Sequence, residues 1–250
     1  MADALLTLTD EGLYCPPGGF HIDPVRPVER AVVTHAHGDH CRPGHAHLLA
    51  SPETVQIAEV RYGAEAFGAV QRLGYGERLR VGGVDLRLVP AGHVLGSAQV
   101  VLEAGGRRAV VSGDYKRRAD PSCAPFELVE CDLFVTEATF GLPVFHHPPA
   151  HAELQKLLDS LATFPERAHA VGAYALGKAQ RLIMELRAAG YDETIWLHGA
   201  LIKLCDTYRA MGHDLGPTAY ATAAEGRETR GRIVLAPPSA LADTWCRRLP

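Results

Sequence analysis

Three histidines and a carboxylate lie within the seven residues Thr34–His40 (Thr-His-Ala-His-Gly-Asp-His), directly after the apolar run Ala31–Val33. Neutral imidazole nitrogens and carboxylate oxygens are the ligands that borderline divalent metals take. The small residues Ala36 and Gly38 let the backbone bend, so that alternate side chains can converge. The spacing H-x-H-x-D-H therefore predicts a metal-binding loop after a buried strand, rather than a polar loop that happens to be rich in histidine.

Three further polar residues follow apolar segments, which is where a sheet-based enzyme places its chemistry. His93 lies in Ala-Gly-His-Val-Leu-Gly-Ser, Asp114 ends Ser-Gly-Asp, and Glu137 lies in Thr-Glu-Ala-Thr-Phe-Gly. Each alone is an ordinary loop or turn residue. Together with the loop they predict two metal sites that share Asp114. The first would comprise His35, His37, His93 and Asp114, and the second Asp39, His40 and Asp114.

Two cations that share a carboxylate suit hydrolysis of a phosphodiester. Cations about 4 Å apart can neutralise both the attacking and the leaving oxygen of an in-line displacement. Ligation by histidine and aspartate favours Zn²⁺, with Mn²⁺ as the alternative and iron tolerated. The six cysteines are scattered without a C-x-x-C pair, which predicts free thiols rather than a zinc finger or a disulfide framework. Cys41, next to the loop, is a secondary ligand candidate.

The pattern of apolar residues changes near Pro143. Before it, strands dominate, with one helix predicted over 53–67 and a buried strand over 132–136. After it, helices predicted over 151–162, 176–189 and 201–211 alternate with parallel-type strands over 168–171, 194–197 and 232–235. We therefore predict an α/β fold in two parts, residues 1–142 and residues 143–250.

Composition places few limits on function. The 250 residues are 47% hydrophobic and 22% charged, which is ordinary for a soluble globular protein. No apolar run is long enough to span a bilayer and the N-terminus lacks the features of a signal peptide, so we expect a cytoplasmic protein without a membrane partner. The formal net charge of −4 neither requires nor excludes nucleic acid, because a nuclease can be basic along its groove alone.

The order of Asp23, the loop Thr34–His40, His93 and Asp114 resembles the first four motifs of the metallo-β-lactamase fold superfamily. Glu137, only twenty-three residues after Asp114, resembles the first motif of the β-CASP nucleases. The segment Ala-Leu-Gly-Lys-Ala-Gln at 175–180 resembles the start of a helix in the β-CASP lobe. Phrases such as Tyr-Cys-Pro-Pro, Ser-Gly-Asp-Tyr-Lys and Ala-Pro-Pro-Ser most resemble the bacterial ligase-associated DNA exonucleases.

The resemblance implies a metallo-β-lactamase αββα sandwich over residues 1–142, without its C-terminal part, and a β-CASP-like α/β lobe over residues 143–250. It implies two metal ions with the ligands His35, His37 and His93 at the first, Asp39 and His40 at the second, and Asp114 between them. Asp23 would orient a ligand histidine, because such carboxylates raise ligand basicity. Glu137 would position the nucleophile or a catalytic histidine. With Asp39, these two acids are the expected catalytic residues.

Two further motifs of the β-CASP pattern, each with a histidine, have no counterpart before Pro250. One is a Ser-x-His-Ala-Asp-like segment and the other a Thr-His-Gly-like segment, whose histidine is the last ligand of the second metal. His198, in Leu-His-Gly, resembles the latter superficially but precedes a predicted helix. Either the chain is shortened or its second metal site is incomplete, with impaired activity.

The resemblance implies a two-metal nuclease, favouring a DNA exonuclease in repair over an RNA-processing enzyme, with a DNA ligase and a helicase as partners. Four basic residues are candidates for contact with the phosphate backbone, or else ordinary surface charges: Lys178, Arg181, Lys116 and Arg117. A small-molecule hydrolase of the same fold is an alternative, against which Glu137 and the second lobe argue. A catalytically incomplete nucleic-acid binder is another. The di-iron relatives carry an acid where this chain has His37, which argues against redox chemistry.

Overall fold

A computed structural model of the chain describes residues 4–221 and 228–250. The chain divides into two compact units, residues 1–139 and residues 140–250. Among the described residues, no helix combines the length and the apolar character that crossing a membrane requires. The assignment of 1–142 and 143–250 to two named domains stays a prediction.

The first unit contains two sheets. The six strands of the first sheet follow one another in sequence order: β1 (Thr7–Thr9), β2 (Gly12–Cys15), β3 (Phe20–Ile22), β4 (Arg30–Val32), β5 (His47–Ala50) and β6 (Ala69–Arg72). Strands β3 to β6 are parallel, so their carboxyl ends meet at one edge of the sheet.

The second sheet has the order β11-β10-β9-β8-β7. Its strands are β7 (Arg78–Val81), β8 (Val84–Pro90), β9 (Ala98–Ala104), β10 (Arg107–Val111) and β11 (Leu133–Val135). Strand β9 is antiparallel to both β8 and β10, and β11 is parallel to β10. The carboxyl ends of β8, β10 and β11 therefore lie at the same edge of this sheet.

Apolar side chains from both sheets form one shared core. Phe20 and Val32 from the first sheet belong to the same buried cluster as Leu86, Val100 and Ala109 from the second. The two sheets therefore pack face to face, as alternating strands with one buried face require. This arrangement, with a helix outside the first sheet, confirms the predicted α/β sandwich class.

Helix α1 (Pro52–Tyr62) covers the outer face of the first sheet, where its Val55 and Ala58 share a buried cluster with strand residues. The Ser51 hydroxyl caps its first turn by accepting the Thr54 amide, and Pro52 occupies the first helical position, where its missing N–H costs nothing. The helix ends before Gly63, which adopts φ +92°. The prediction of a helix as far as residue 67 is therefore wrong at its C-terminal end.

The strand predicted over 132–136 forms, but the prediction that it is buried is wrong. Leu133 and Phe134 on β11 are 41% and 44% exposed. The reason is its position: β11 lies at the edge of the second sheet, beyond β10. An edge strand has a neighbour on one side only, so an apolar sequence does not ensure its burial.

The second unit is built on a parallel four-stranded sheet with the order β12-β15-β13-β14. Its strands are β12 (His169–Gly172), β13 (Ile195–Leu197), β14 (Thr218–Tyr220) and β15 (Ile233–Ala236), and its helices are α2 (Ala150–Thr163), α3 (Lys178–Ala188) and α4 (Gly199–Ala210). The parallel pairing confirms the prediction for the strands β12, β13 and β15. Helix α3 begins two residues later than predicted, because Gly177 adopts φ +84° and cannot continue a helix.

Candidate metal centre

The predicted metal-binding residues leave the carboxyl ends of neighbouring strands. Asp23 follows β3, the loop Thr34–His40 follows β4, His93 follows β8 and Asp114 follows β10. Because β3 and β4 are parallel, with Ile22 opposite Val32, Asp23 and Thr34 emerge side by side. The Ala98 amide donates to the Thr34 carbonyl oxygen at 2.8 Å and connects the second sheet to this loop. The fold therefore brings residues distant in sequence to one edge of the sandwich.

His35, His37, His93 and Asp114 each offer one ligand atom to a cluster whose atoms all lie within 4.8 Å of one another. His37 Nδ1 lies 2.9 Å from His35 Nε2 and 3.2 Å from His93 Nε2. Asp114 Oδ2 lies 3.9 Å from His35 Nε2 and 3.5 Å from His93 Nε2. Tetrahedral ligands at about 2.0–2.1 Å from zinc are about 3.4 Å apart, which these separations bracket.

The other oxygen of the same carboxylate points to a second group. Asp114 Oδ1 lies 3.3 Å from His40 Nε2, which is itself 3.8 Å from Asp39 Oδ2. The side chain of Asp39 is 76% exposed, so this second group is open to solvent on the Asp39 side. Asp114 thus places one oxygen in each group, which is the arrangement that a carboxylate shared by two cations requires.

Asp23 supports both groups. Its Oδ2 accepts a hydrogen bond from His40 Nδ1 at 2.7 Å, which leaves His40 Nε2 for the open side of the site. Its carboxylate also accepts from the Thr34 amide at 2.8 Å and the Thr34 hydroxyl at 2.6 Å. The Thr34 hydroxyl in turn lies 3.1 Å from His35 Nδ1, so that His35 can donate there and keep Nε2 as a free ligand atom. Asp23 adopts φ +45°, a conformation uncommon for residues other than glycine.

The protonation of the two groups differs. Burial, together with the neighbouring histidines, holds the pKa of His35 well below its usual value, and burial lowers the pKa of His93 to about 4. Burial also acts to lower the pKa of His40, but hydrogen bonds to Asp114 and Asp23 outweigh it and raise this pKa to about 10. The His40 hydrogen bond keeps the pKa of Asp114 below its usual value.

This donor set fits a divalent cation. His35 and His93 are neutral at pH 7 and Asp114 is ionised, which is the state in which these side chains bind metal. Three imidazole nitrogens and one carboxylate oxygen match the ligand preference of Zn²⁺ and of similar borderline metals.

Comparison with known proteins agrees with this geometry. Residues 21–169 match the metallo-beta-lactamase superfamily. The chain belongs to this superfamily. A solved structure from Enterococcus faecalis V583, of a protein of unknown function, is 12% identical and superimposes with a TM-score of 0.57, covering 88% of this chain and 59% of that one. That likeness is one of fold alone.

Three curated relatives of this metallo-beta-lactamase chain are named as enzymes of nucleic acid. A probable DNA ligase of Opitutus terrae is 32% identical over 96% of this chain and 23% of its own length. Ribonuclease TTHA0252 of Thermus thermophilus is 30% identical over 69% of this chain and 46% of its own. Endoribonuclease YSH1 of Candida glabrata is 32% identical over 49% and 16%. The chain thus spans less than half the length of each, and the ribonucleases agree with the predicted β-CASP resemblance.

Glu137 acts electrostatically on the first group of ligands of this metallo-beta-lactamase site, where it opposes the lowering of the pKa of His93. It follows β11 in the chain. Its Oε2 accepts the Thr139 amide at 2.9 Å, which fixes the carboxylate at the end of the strand. Cys41, by contrast, packs in the core beneath α1, where burial raises the pKa of its thiol to about 12. The Cys41 sulfur is therefore buried and protonated, and it is not among the ligand atoms of the cluster.

Three supporting residues were not predicted from the sequence. The Thr34 hydroxyl joins Asp23 to His35, and the Ser97 hydroxyl accepts from the His93 amide at 3.0 Å. Thr34 lies in the metal-binding loop and Ser97 in the segment Ala-Gly-His-Val-Leu-Gly-Ser, so the sequence could have indicated both hydroxyls as hydrogen-bond partners of the histidines. The Arg61 guanidinium on α1 donates to the Ala36 carbonyl oxygen of the metal-binding loop. No local pattern pointed to Arg61, because its contact depends on how α1 packs against the sheet.

The four basic residues predicted to contact phosphate have different surroundings. The Lys116 ammonium is paired with the carboxylate of Asp120, and Arg181 Nε donates to Glu185 at 2.8 Å along α3. Arg117 and Lys178 are exposed. Lys178 lies against the ring of Tyr174, with Nζ 5.1 Å from the ring centroid. A role in phosphate contact stays a prediction for all four. His198, in the second unit, accepts the Ala200 amide at the start of α4.

Proposed function

We propose that this chain carries the metal centre of a phosphodiesterase that hydrolyses nucleic acid, and that it acts as a DNA exonuclease in repair, in association with a DNA ligase. The observation that carries the proposal is the Asp114 carboxylate, with one oxygen 3.5 Å from His93 Nε2 and the other 3.3 Å from His40 Nε2. Two groups of ligands that share one carboxylate match the requirement of two-metal hydrolysis of phosphodiesters.

The residues would hold two cations, Zn²⁺ first and Mn²⁺ as the alternative. His35, His37 and His93 would bind the first, Asp39 and His40 the second, and Asp114 both. Bound there, divalent cations would supply Lewis acidity, polarising a phosphoryl oxygen and lowering the pKa of a water molecule.

The remaining residues orient and charge the site. Asp23 holds His40 and Thr34 in place, and through Thr34 it fixes the direction in which His35 presents Nε2. Glu137 adds a negative charge near His93, where it can orient the nucleophilic water or a protonated group by accepting a hydrogen bond. Asp39, exposed at the open side, is placed to meet solvent and the incoming substrate.

The preference for DNA rests on one comparison. The relative named as a probable DNA ligase is matched over 96% of this chain, whereas the relatives named as ribonucleases are matched over 69% and 49%. RNA processing is the second candidate, because the match to ribonuclease TTHA0252 still extends over 203 residues at 30% identity.

The experiment is a cleavage assay on end-labelled single- and double-stranded DNA and RNA with Zn²⁺ or Mn²⁺, together with measurement of bound metal by mass spectrometry. We expect mononucleotides to be released from DNA, and Asp114→Asn to lose both cleavage and part of the bound metal. Asp10→Asn, which changes an exposed acid in a turn, is the matched control and should behave like wild type. Cleavage of RNA with none of DNA would select the second candidate. A metal-loaded chain that cleaves neither would contradict both.

A further inference from the structure

The turn between β12 and α3 presents an aromatic ring and a cation to solvent as a pair. The side chain of Tyr174 is 63% exposed, although the Lys178 ammonium lies 5.1 Å from the centroid of its ring. Large aromatic side chains are normally buried, and an exposed one beside a cation is a common feature of surfaces that bind nucleic acid strands.

This turn is held rigidly from beneath. The side chain of Gln180 is fully buried, and its Oε1 accepts the Gly177 amide at 2.8 Å while its Nε2 donates to the Ala175 carbonyl oxygen at 2.9 Å. The Ala179 amide donates to the Tyr174 carbonyl oxygen at 3.1 Å. Burial of an amide side chain is favourable only when its hydrogen bonds are satisfied, as they are here. The backbone that carries Tyr174 and Lys178 is therefore fixed before any ligand arrives, which lowers the cost of ordering on binding.

The position in the fold also favours a ligand. Tyr174 follows the carboxyl end of β12 in a parallel sheet, and open α/β sheets bind ligands beyond the carboxyl ends of their strands. A similar pair, Phe164 with Arg167 at 5.3 Å, lies before the amino end of the same strand. Phe164 is 42% exposed, and Arg167 is also paired with Glu166 at 3.6 Å. Both pairs thus combine an exposed aromatic ring with a cation. They lie at opposite ends of β12, and the charge of Arg167 is offset by Glu166.

We propose that Tyr174 and Lys178 hold one unpaired nucleotide of the substrate strand, with the base stacked on the tyrosine ring and the ammonium against a phosphate. This inference rests on the proposed function, and it places one contact of a single-stranded substrate at the turn between β12 and α3. Stacking does not distinguish the four bases, because each has a π face, so the contact favours unpaired strands over duplex without selecting a sequence.

The test measures binding by fluorescence anisotropy of the full chain, using a labelled single strand with a phosphorothioate backbone that resists cleavage. We expect Tyr174→Ala to weaken binding about fivefold or more, and Tyr174→Phe to bind like wild type, because the phenyl ring still stacks. Phe164→Ala is the matched control and should leave the affinity unchanged. On an abasic strand of the same length, Tyr174→Ala and wild type should bind equally, since the ring has no base to contact.

Lys178→Gln provides a second, independent measurement. Removing one phosphate contact should lower the slope of log affinity against log salt concentration by about 0.7 for a single strand. Affinity of Tyr174→Ala equal to that of wild type on the base-bearing strand would overturn the stacking proposal and leave the proposed function standing. Failure of wild type to bind any strand would overturn both. Binding with these effects intact, but without cleavage of ordinary strands by the metal-loaded chain, would contradict the hydrolase alone.

Discussion

Two carboxylates keep His40, in the second group of ligands, protonated. Asp114 Oδ1 and Asp23 Oδ2 lie on opposite nitrogens of His40, at 3.3 Å and 2.7 Å, and stabilise its imidazolium form. His35 and His93 are neutral at pH 7 because burial disfavours their charged forms. A cation at the His40 side must therefore displace a proton from His40, whereas His35 and His93 have none to lose.

This difference predicts the number of protons that metal binding releases. The pKa of His40 is about 10 before the metal binds, so the residue is protonated at pH 7 and must lose its proton to coordinate. Titration calorimetry in buffers of different ionisation enthalpy should find about one proton fewer released by His40→Gln than by wild type. The difference should shrink as the pH rises through about 10, since His40 then loses its proton without the metal. His47→Gln, at an exposed histidine, is the control. Equal release by wild type and His40→Gln at pH 7 would contradict the assignment.

Replacement of Gly113, compared with that of Gly105, distinguishes the cost of a steric clash with Thr34 from the cost of backbone strain alone. Gly113 adopts φ +55°, and a Cβ added there would lie 2.6 Å from the Thr34 hydroxyl oxygen. Gly105 adopts φ +57° with nothing within 4 Å of its added Cβ, so it shares the strain without the clash. We expect Gly113→Ala to lower the free energy of unfolding by at least about 1 kcal/mol more than Gly105→Ala, because overpacking adds to the strain. Urea denaturation measures both. Equal losses would show that Thr34 can move aside freely.

The residues proposed as ligands could be singled out from the sequence, and the structure brings His35, His37, His93 and Asp114 together, whereas the contacts that support them could not all be predicted. His35, His37 and Asp114 have residue types and spacing that have few uses other than metal binding. The contact of Arg61 with the Ala36 carbonyl oxygen depends on the packing of α1, and the open position of Asp39 depends on how its loop turns. Such properties arise from tertiary structure and leave no local pattern.

At the scale of elements, one guanidinium connects the end of α3 to the start of β14. Arg187 donates to four backbone carbonyl oxygens at 2.5–3.2 Å, those of Tyr191, Glu193, Leu215 and Pro217. These carbonyls lie in the segments that lead into β13 and β14, and the Pro217 carbonyl oxygen also accepts the Ile195 amide at 3.1 Å. The planar fork of arginine reaches several acceptors at once, which the point charge of lysine cannot do.

Replacement of Arg187 should therefore destabilise the second unit. We expect Arg187→Met to lower the free energy of unfolding by at least about 2 kcal/mol, because it leaves several carbonyl oxygens without their charged donor. Arg187→Lys should recover part of this loss. Arg167→Met, at an exposed arginine paired with its neighbour Glu166, serves as the control and should change stability little. Urea denaturation followed by tryptophan fluorescence reports the unit through Trp196 and Trp245. A loss no greater than that of the control would mean that water replaces the guanidinium at these carbonyls.

Strand type was easier to predict than strand position. The apolar runs of β12, β13 and β15 are typical of buried parallel strands, and they pair in parallel. The short edge strand β14 was not predicted, because its three residues Thr-Ala-Tyr include two that are half-buried and one that is exposed. For β11 the residues were apolar but the strand lies at the edge, so the side chains remain in part exposed. The spacing of apolar residues predicts which side of a strand is apolar, but it does not predict whether the strand lies at the centre or at the edge of its sheet.

At the scale of the whole molecule, the proposed metal centre and the proposed nucleotide-binding pair belong to different units. Every proposed metal ligand, with Asp23 and Glu137, lies in residues 1–139, and the proposed stacking pair of Tyr174 and Lys178 lies in residues 140–250. The segment that begins the second unit has no regular secondary structure before α2 and carries exposed apolar side chains, among them Phe140 and Phe145. Exposed segments of this kind are preferred sites of proteolysis.

Limited digestion by chymotrypsin should therefore cut first at Phe140 or Phe145, since both are exposed and chymotrypsin cleaves after large aromatic residues. We expect two fragments with their new ends at these positions, identified by mass spectrometry. The fragment that contains the N-terminus should keep the bound metal, because all of its proposed ligands precede Phe140. Phe140→Ser with Phe145→Ser should slow the first cut, whereas Phe164→Ser, at an exposed phenylalanine after α2, should not. A first cut within residues 4–139, or loss of the metal from the N-terminal fragment, would contradict the division of the chain or the assignment of the ligands.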